Sequence, residues 1–279
     1  MFGFSGKTGA SRSTMLGHGA TQFFAPGGCP CVVAVHGFGG TAAELRPLLD
    51  RIAAAGFAVD AALLPGHGTS PTDLQRYRFD DWVNATRDRL RKAAESHETV
   101  VLLGFSLGTL VVMQLASEGD RPEGLAGLVV LGSAVTLEPH TSAGLAALAR
   151  LGARMPDLYV AKPGAGDVRD KSALGALVTY DRHPLRAAIE TYRAGLRVRP
   201  VVDRITCPAL ILHGRHDRVC PWQNAVWLAD HIGSKDVSVR IFENSAHVLA
   251  NDFDREDVAR EVCSFLDRRR RLQSTPVDP

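Results

Sequence analysis

The sequence predicts an α/β protein: a mostly parallel central sheet flanked by helices on both faces, interrupted once by a small helical insertion. Two observations predict it. Short β-branched runs alternate with longer stretches whose apolar and charged positions separate at helical period, as expected for parallel strands joined by crossover helices. The 279 residues, 45% hydrophobic and 22% charged, also suffice to bury a sizeable core without disulfides or metal.

Taken in order, Cys31 to His36 reads as a buried strand, Leu45 to Ala55 as a helix, Phe57 to Leu63 as a strand and Trp82 to Ser96 as a helix. The apolar run from Val100 ends in Gly104-Phe105-Ser106-Leu107-Gly108 and passes into helical text at Thr109 to Ala116. Strands at Leu125 to Leu131 and Ala209 to His213, a helix near Trp222 to His231, a strand at Val237 to Phe242 and an amphipathic helix over Glu256 to Leu266 complete the series. Between Ser133 and Arg199 the alternation gives way to Ala- and Leu-rich text broken by Pro139, Pro156, Pro163 and Pro184. An interruption of that length reads as a small helical cap rather than a loop. The expected organisation is a flexible leader at 1–19, a core of 20–133 and 200–271, a cap at 134–199 and a tail at 272–279.

A net charge of +2, from 32 basic and 30 acidic residues, gives no electrostatic case for nucleic acid. The run Arg268 to Arg271 ends the last amphipathic stretch, where cations suit a helix C-terminus, and reads as a solvated helix end. Five cysteines, Cys29, Cys31, Cys207, Cys220 and Cys263, have neither zinc-site spacing nor a disulfide framework, so reduced thiols in the cytoplasm are expected. The first twenty residues hold Lys7 and Arg12 without an apolar segment of signal-peptide length, and no later run approaches about 18 uninterrupted apolar residues. Neither secretion nor stable membrane insertion is expected, and no feature sets an oligomeric state.

A strand, a glycine-flanked serine and a helix in that order make a nucleophile elbow, which exposes the hydroxyl of Ser106 above the sheet. A serine hydroxyl is a weak nucleophile until a base takes its proton and a carboxylate orients the base. Asp217 falls in a turn just after the strand Ala209 to His213, and His247 in the loop after the next strand. Both lie beyond the carboxyl ends of strands parallel to the one before Ser106, so the three side chains can meet on one edge of the sheet. His36-Gly37-Phe38-Gly39-Gly40 ends the first long strand, and the amides of Phe38 and Leu107 are the candidate oxyanion donors.

Each motif has a plainer reading beside it. His213, His216 and Asp217 could suggest a metal cluster, but Asp217 is better used beside a histidine base. Asp203, Asp236 and Asp252 are rival acids, although only Asp217 follows a strand in a Gly-x-x-Asp turn. His67 reads as structural, and Cys220 need not be reactive. Leu148, Leu151, Met155, Leu158, Tyr159, Leu174, Leu177 and Tyr192 could line a substrate channel or pack cap helices together, the packing reading being the stronger for any single residue. Met155, Leu158, Tyr159 and Leu177 are the candidates for substrate contact.

From Phe23 to Leu266 the chain resembles α/β-hydrolase-fold serine hydrolases, and among them small bacterial carboxylesterases and monoacylglycerol lipases. The order serine, acid, histidine carries the resemblance, together with Leu64-Pro65-Gly66-His67-Gly68 followed by Trp82, and Ser245-Ala246-His247-Val248-Leu249 ahead of Asp252 and Asp254. Two positions depart from the pattern: Thr109 stands where a further glycine is common, and Ala246 where Ser-Gly-His is common. The resemblance implies acyl transfer to water without a cofactor, on a small-molecule ester or lipid-like substrate. The same triad also serves thioesterases and carbon-carbon bond hydrolases, and a hydrolase-fold protein can instead sense a ligand. A dinucleotide enzyme is disfavoured because His36 to Gly40 lacks Gly-x-Gly-x-x-Gly.

Overall fold

The computed structural model describes residues 22–152, 156–161 and 166–271. The expected leader, the tail and Met155 lie outside them. The strands are β1 (Phe23–Ala25), β2 (Gly28–Val35), β3 (Phe57–Ala61), β4 (Val100–Phe105), β5 (Leu125–Leu131), β6 (Tyr159–Ala161), β7 (Arg182–Pro184), β8 (Ala209–Gly214) and β9 (Val237–Phe242). The α-helices are α1 (Arg46–Ala54), α2 (Pro71–Leu74), α3 (Phe79–Ser96), α4 (Leu107–Ala116), α5 (Pro139–Ala149), α6 (Leu185–Val198), α7 (Gln223–His231) and α8 (Arg255–Arg271).

Seven strands form one sheet in the order β1-β3-β2-β4-β5-β8-β9, with β1 antiparallel at the edge and the other pairs parallel. Because side chains alternate across a strand, a strand buried on both faces feeds two cores. On β4, Val100 and Leu102 join the core that contains Trp82, Leu90 and Leu110, whereas Val101, Leu103 and Phe105 join the one that contains Leu48, Ile52 and Phe265. The helix α4 is buried almost all round, which is why its sequence lacks a polar stripe.

The register puts five strand ends on one edge. Val35 pairs with Gly104, Phe105 with Leu131, Leu131 with Leu212 and Gly214 with Phe242. The loops that follow β2, β4, β8 and β9 therefore open side by side at the carboxyl edge of the sheet, where α/β proteins place their sites.

Several boundaries differ from the sequence expectation. The helix α3 begins at Phe79 rather than Trp82, since the Asp81 carboxylate accepts the Arg78 N–H at 2.7 Å and caps the earlier turn. The strand β3 stops at Ala61, where the chain turns so that Leu64 N–H can donate to His36 Nε2 at 3.1 Å. Residues 134–199 are not all helical: β6 and β7 pair antiparallel, with Tyr159 opposite Pro184 and Val160 opposite His183. Three-residue strands have too short a period to stand out in a proline-broken sequence.

The arginine run is solvated in part and corrected in part. Arg268 and Arg270 are exposed, as expected of a solvated end, but α8 continues through the run and turns Arg269 inward. Arg269 is only 6% exposed, with its guanidinium 4.8 Å from the Phe265 ring and 2.9 Å from Asp236. Arg270 lies 3.9 Å over the Phe57 ring and donates to the carbonyls of Cys29 and Ala55.

Candidate active site

Ser106 sits between β4 and α4 with φ 53° and ψ −117°, the one non-glycine residue of positive φ among those described. The turn needs both flanking glycines. A Cβ on Gly104 would stand 2.5 Å from the Gly108 carbonyl oxygen, and one on Gly108 would stand 2.1 Å from that of Val35. The strained serine is held by its neighbours: Ser106 N–H donates to Leu131 O at 3.0 Å, and the Thr109 hydroxyl donates to Ser106 O at 2.6 Å. Thr109 Oγ1 also accepts the Ala134 N–H at 3.2 Å, so the threonine that departs from the family pattern ties the elbow to the exit of β5.

The three residues expected to act together are in contact. The Ser106 hydroxyl lies 2.9 Å from His247 Nε2, and His247 Nδ1 lies 2.7 Å from Asp217 Oδ2. A carboxylate only accepts, so Nδ1 carries the ring hydrogen and Nε2 is left to receive the serine proton. Asp217 Oδ1 accepts the backbone N–H groups of Val219 and Cys220, each at 2.8 Å. Burial pushes the Asp217 carboxyl up, yet the charge of His247 and the bonds from His213 and His247 outweigh it and hold the group well below the ordinary carboxylate value. For His247, burial disfavours the charged ring, but the Asp217 carboxylate beside it, with Asp167 and Glu44 farther off, raises its pKa above 6.5.

The rival acids have other partners. Asp252 is wholly buried and accepts four backbone N–H groups, from Arg169, Asp170, Ala246 and Phe253, at 2.8–2.9 Å. It thereby fastens the residue before His247 to the chain between β6 and β7. Asp236 pairs with Arg269, and Asp203 is exposed.

The loop after β2 is braced from beneath. His36 Nδ1–H donates to Gly37 O at 2.9 Å, and burial pushes the pKa of this ring down to about 4. His67 packs edge-on against His36 and Trp82, while Trp82 Nε1 donates to Pro65 O at 3.0 Å. The Glu44 carboxylate, also buried, accepts Gly37 N–H at 3.2 Å. Phe38 lies against His183 of β7 with ring centroids 4.9 Å apart. Leu107 opens α4, so its amide is among the four N–H groups that have no acceptor within the helix.

Ser106 and His247 face a cavity of about 340 Å³. Its walls are mainly apolar: Phe38 from the loop after β2, Phe105 from the end of β4, Leu137 and Leu145 around α5, Leu185 and Ala188 from α6. Leu158, Tyr159 and Leu177, named above as substrate contacts, do not line it, and Met155 lies outside the described residues. Tyr159 lies under the Arg182 guanidinium, 4.7 Å away, with its hydroxyl 3.3 Å from that of Thr72. Leu177 is 8% exposed and packs behind Gly166, in the core on the α1 and α8 face. Sequence reasoning missed this lining although it has a period: 141 and 145 on α5 follow 137 at a spacing of four, and 185, 188 and 191 on α6 repeat every three, a stripe on each of two facing helices.

Among the described residues no group of three His, Cys, Asp or Glu side chains could hold a metal ion, and His216 is exposed while His213 is buried. None of their helices is long and apolar enough to cross a membrane.

Sheet order, elbow and loop positions define the α/β-hydrolase fold. Residues 29–254 match the family described as serine aminopeptidase, S33, and the chain belongs to it. It is 30% identical over 248 residues to a thermostable monoacylglycerol lipase of Bacillus sp. (strain H-257), covering 89% of this chain and 94% of that lipase. It is 23% identical over 245 residues to a carboxylesterase of Bacillus subtilis (strain 168), covering 87% and 94%. Among solved structures, one described under LipS and LipT, two metagenome-derived lipolytic enzymes, matches with a TM-score of 0.81 and 27% identity, covering 90% of this chain and 98% of that one.

Proposed function

We propose that this chain hydrolyses carboxylic esters of small or medium acyl chain length, monoacylglycerols among them, through an acyl-enzyme on Ser106. The observation that carries this reading is the chain of contacts from Ser106 Oγ through His247 to Asp217, 2.9 and 2.7 Å long, at the wall of an apolar cavity. Membership of a serine hydrolase family with lipase and carboxylesterase relatives supports it.

In this mechanism His247 takes the Ser106 proton as the hydroxyl attacks the ester carbonyl, and the amides of Phe38 and Leu107 donate to the oxyanion. His247 then protonates the departing alcohol and activates a water that frees the acid. Asp217 keeps the imidazole in its Nδ1–H tautomer and stabilises the charged ring. The segment 134–199 acts as a cap over the core, supplying Leu137, Leu145, Leu185 and Ala188 as the wall against which an acyl chain lies. The setting in this reading is cytoplasmic, supported by five free cysteines, of which Cys207 is buried with its thiol pushed up to about 11.

Steady-state hydrolysis of p-nitrophenyl esters and monoacylglycerols of increasing chain length, with Ser106→Ala as the blank, tests the proposal. Multiple turnovers that peak at one chain length are expected. Equal rates for wild type and Ser106→Ala would overturn it.

A further inference from the structure

Asp217 is held by two histidines, of which the mechanism uses one. His213, near the end of β8, is wholly buried. Its Nε2 lies 2.9 Å from Asp217 Oδ2, the same oxygen that His247 Nδ1 approaches to 2.7 Å, and 3.1 Å from the Cys220 carbonyl. A carboxylate and a carbonyl are both acceptors, so Nε2 carries the ring hydrogen. His213 Nδ1 is then a bare nitrogen, buried and without a hydrogen-bond partner among the described residues. Burying an unpaired polar atom costs stability, and an apolar side chain of similar size would avoid that cost. Packing alone therefore does not account for an imidazole here.

We propose that His213 is a positioning residue for the acid: its Nε2–H and the Nδ1–H of His247 bind one oxygen of Asp217 from two sides, fixing that oxygen and dividing its negative charge. The inference rests on the triad reading above. Its consequence is a set point. Charge drawn toward His213 is charge withheld from His247, so His213 lowers the proton affinity of the base that its neighbour raises. The other charged groups acting on His247 are Asp167, before β7, and Glu44, from the turn after β2, while Cys220 on the same loop faces Asp217, Glu138 and Asp167. All of them stay in place when only residue 213 is changed.

The test compares His213→Leu, which removes the donor, with His213→Gln, whose Nε2–H reaches the same place, on an activated ester across pH, with Ser106→Ala as the blank. His213→Leu is expected to lower kcat by roughly 10- to 100-fold, the rate equivalent of one hydrogen bond to a charged group, with little change in KM. It should also move the acid limb of kcat/KM to higher pH, because His247 now holds its proton more tightly. His213→Gln should return the limb to its wild-type position and recover most of the rate. An unmoved limb in His213→Leu, or equal losses in the two variants, would overturn the proposal. Nitrogen-15 spectra of wild-type protein labelled at histidine provide an arm that does not depend on a variant folding: Nε2–H with a bare Nδ1 is expected for His213, and the opposite tautomer would refute the assignment. If Ser106→Ala turns over like wild type, the triad reading fails and takes this inference with it. If that blank is inactive while His213→Leu matches wild type, only the role of His213 fails.

Discussion

The hydroxyl of Thr109 spans 2.6 Å to the carbonyl of Ser106 and holds the strained elbow from inside the first turn of α4. It also accepts the Ala134 N–H, joining the serine turn to the chain that leaves β5. Thr109→Val keeps the shape and removes both bonds, leaving the buried Ala134 N–H without its acceptor, while the Ser106 carbonyl keeps the Thr109 N–H at 2.9 Å. A loss of about 1–3 kcal/mol in unfolding free energy is expected, read by urea denaturation, with a fall in kcat because the elbow is less firmly held.

The pH dependence has a definite sign. In the proposed mechanism His247 works as a neutral base, and its pKa is raised above 6.5 by the Asp217 carboxylate despite burial. The active fraction therefore grows as pH rises through that raised value, and half-maximal kcat/KM on the acid side is expected above pH 6.5. A stopped-assay profile from pH 5 to 9 with a neutral ester measures it.

Asp217→Asn should leave the fold in place and disable the base. An amide presented to His247 Nδ1 no longer selects the Nδ1–H tautomer, and kcat is expected to fall by about 10⁴-fold, the loss seen when a triad acid is made neutral. Circular dichroism of the same sample separates this from unfolding.

The wall of the cavity, against which the proposed mechanism lays an acyl chain, can be moved from α6. Ala188 of α6 lines the cavity beside Leu185, and Ala188→Trp adds bulk to a space of about 340 Å³. The ratio of long-chain to short-chain ester turnover should drop, shifting the preferred chain length downward. Assaying a chain-length series on wild type and variant together checks it.

What the sequence disclosed and what it withheld divide along physical lines. Gly104, Ser106 and Gly108 were legible because backbone passes within 3 Å of where a Cβ would stand on either glycine, a requirement only that residue type meets. Asp217 and His247 were legible because parallel strands deliver their carboxyl ends to one edge whatever the side chains do. The cavity walls were not, because an inward apolar residue such as Leu145 and one that packs behind the wall such as Leu177 look alike in composition; only the facing of α5 and α6 separates them. Arg269 misled for the opposite reason: a charge reads as solvated until a ring such as Phe265 and a carboxylate such as Asp236 are placed beside it.

Covalent labelling tests the central claim most directly. Protein treated with a fluorophosphonate, an electrophile that traps an activated serine, should gain one adduct by intact mass, located on the peptide that contains Ser106 and lost in both Ser106→Ala and His247→Ala. An adduct on another residue, or labelling of wild type no faster than of Ser106→Ala, would contradict the account.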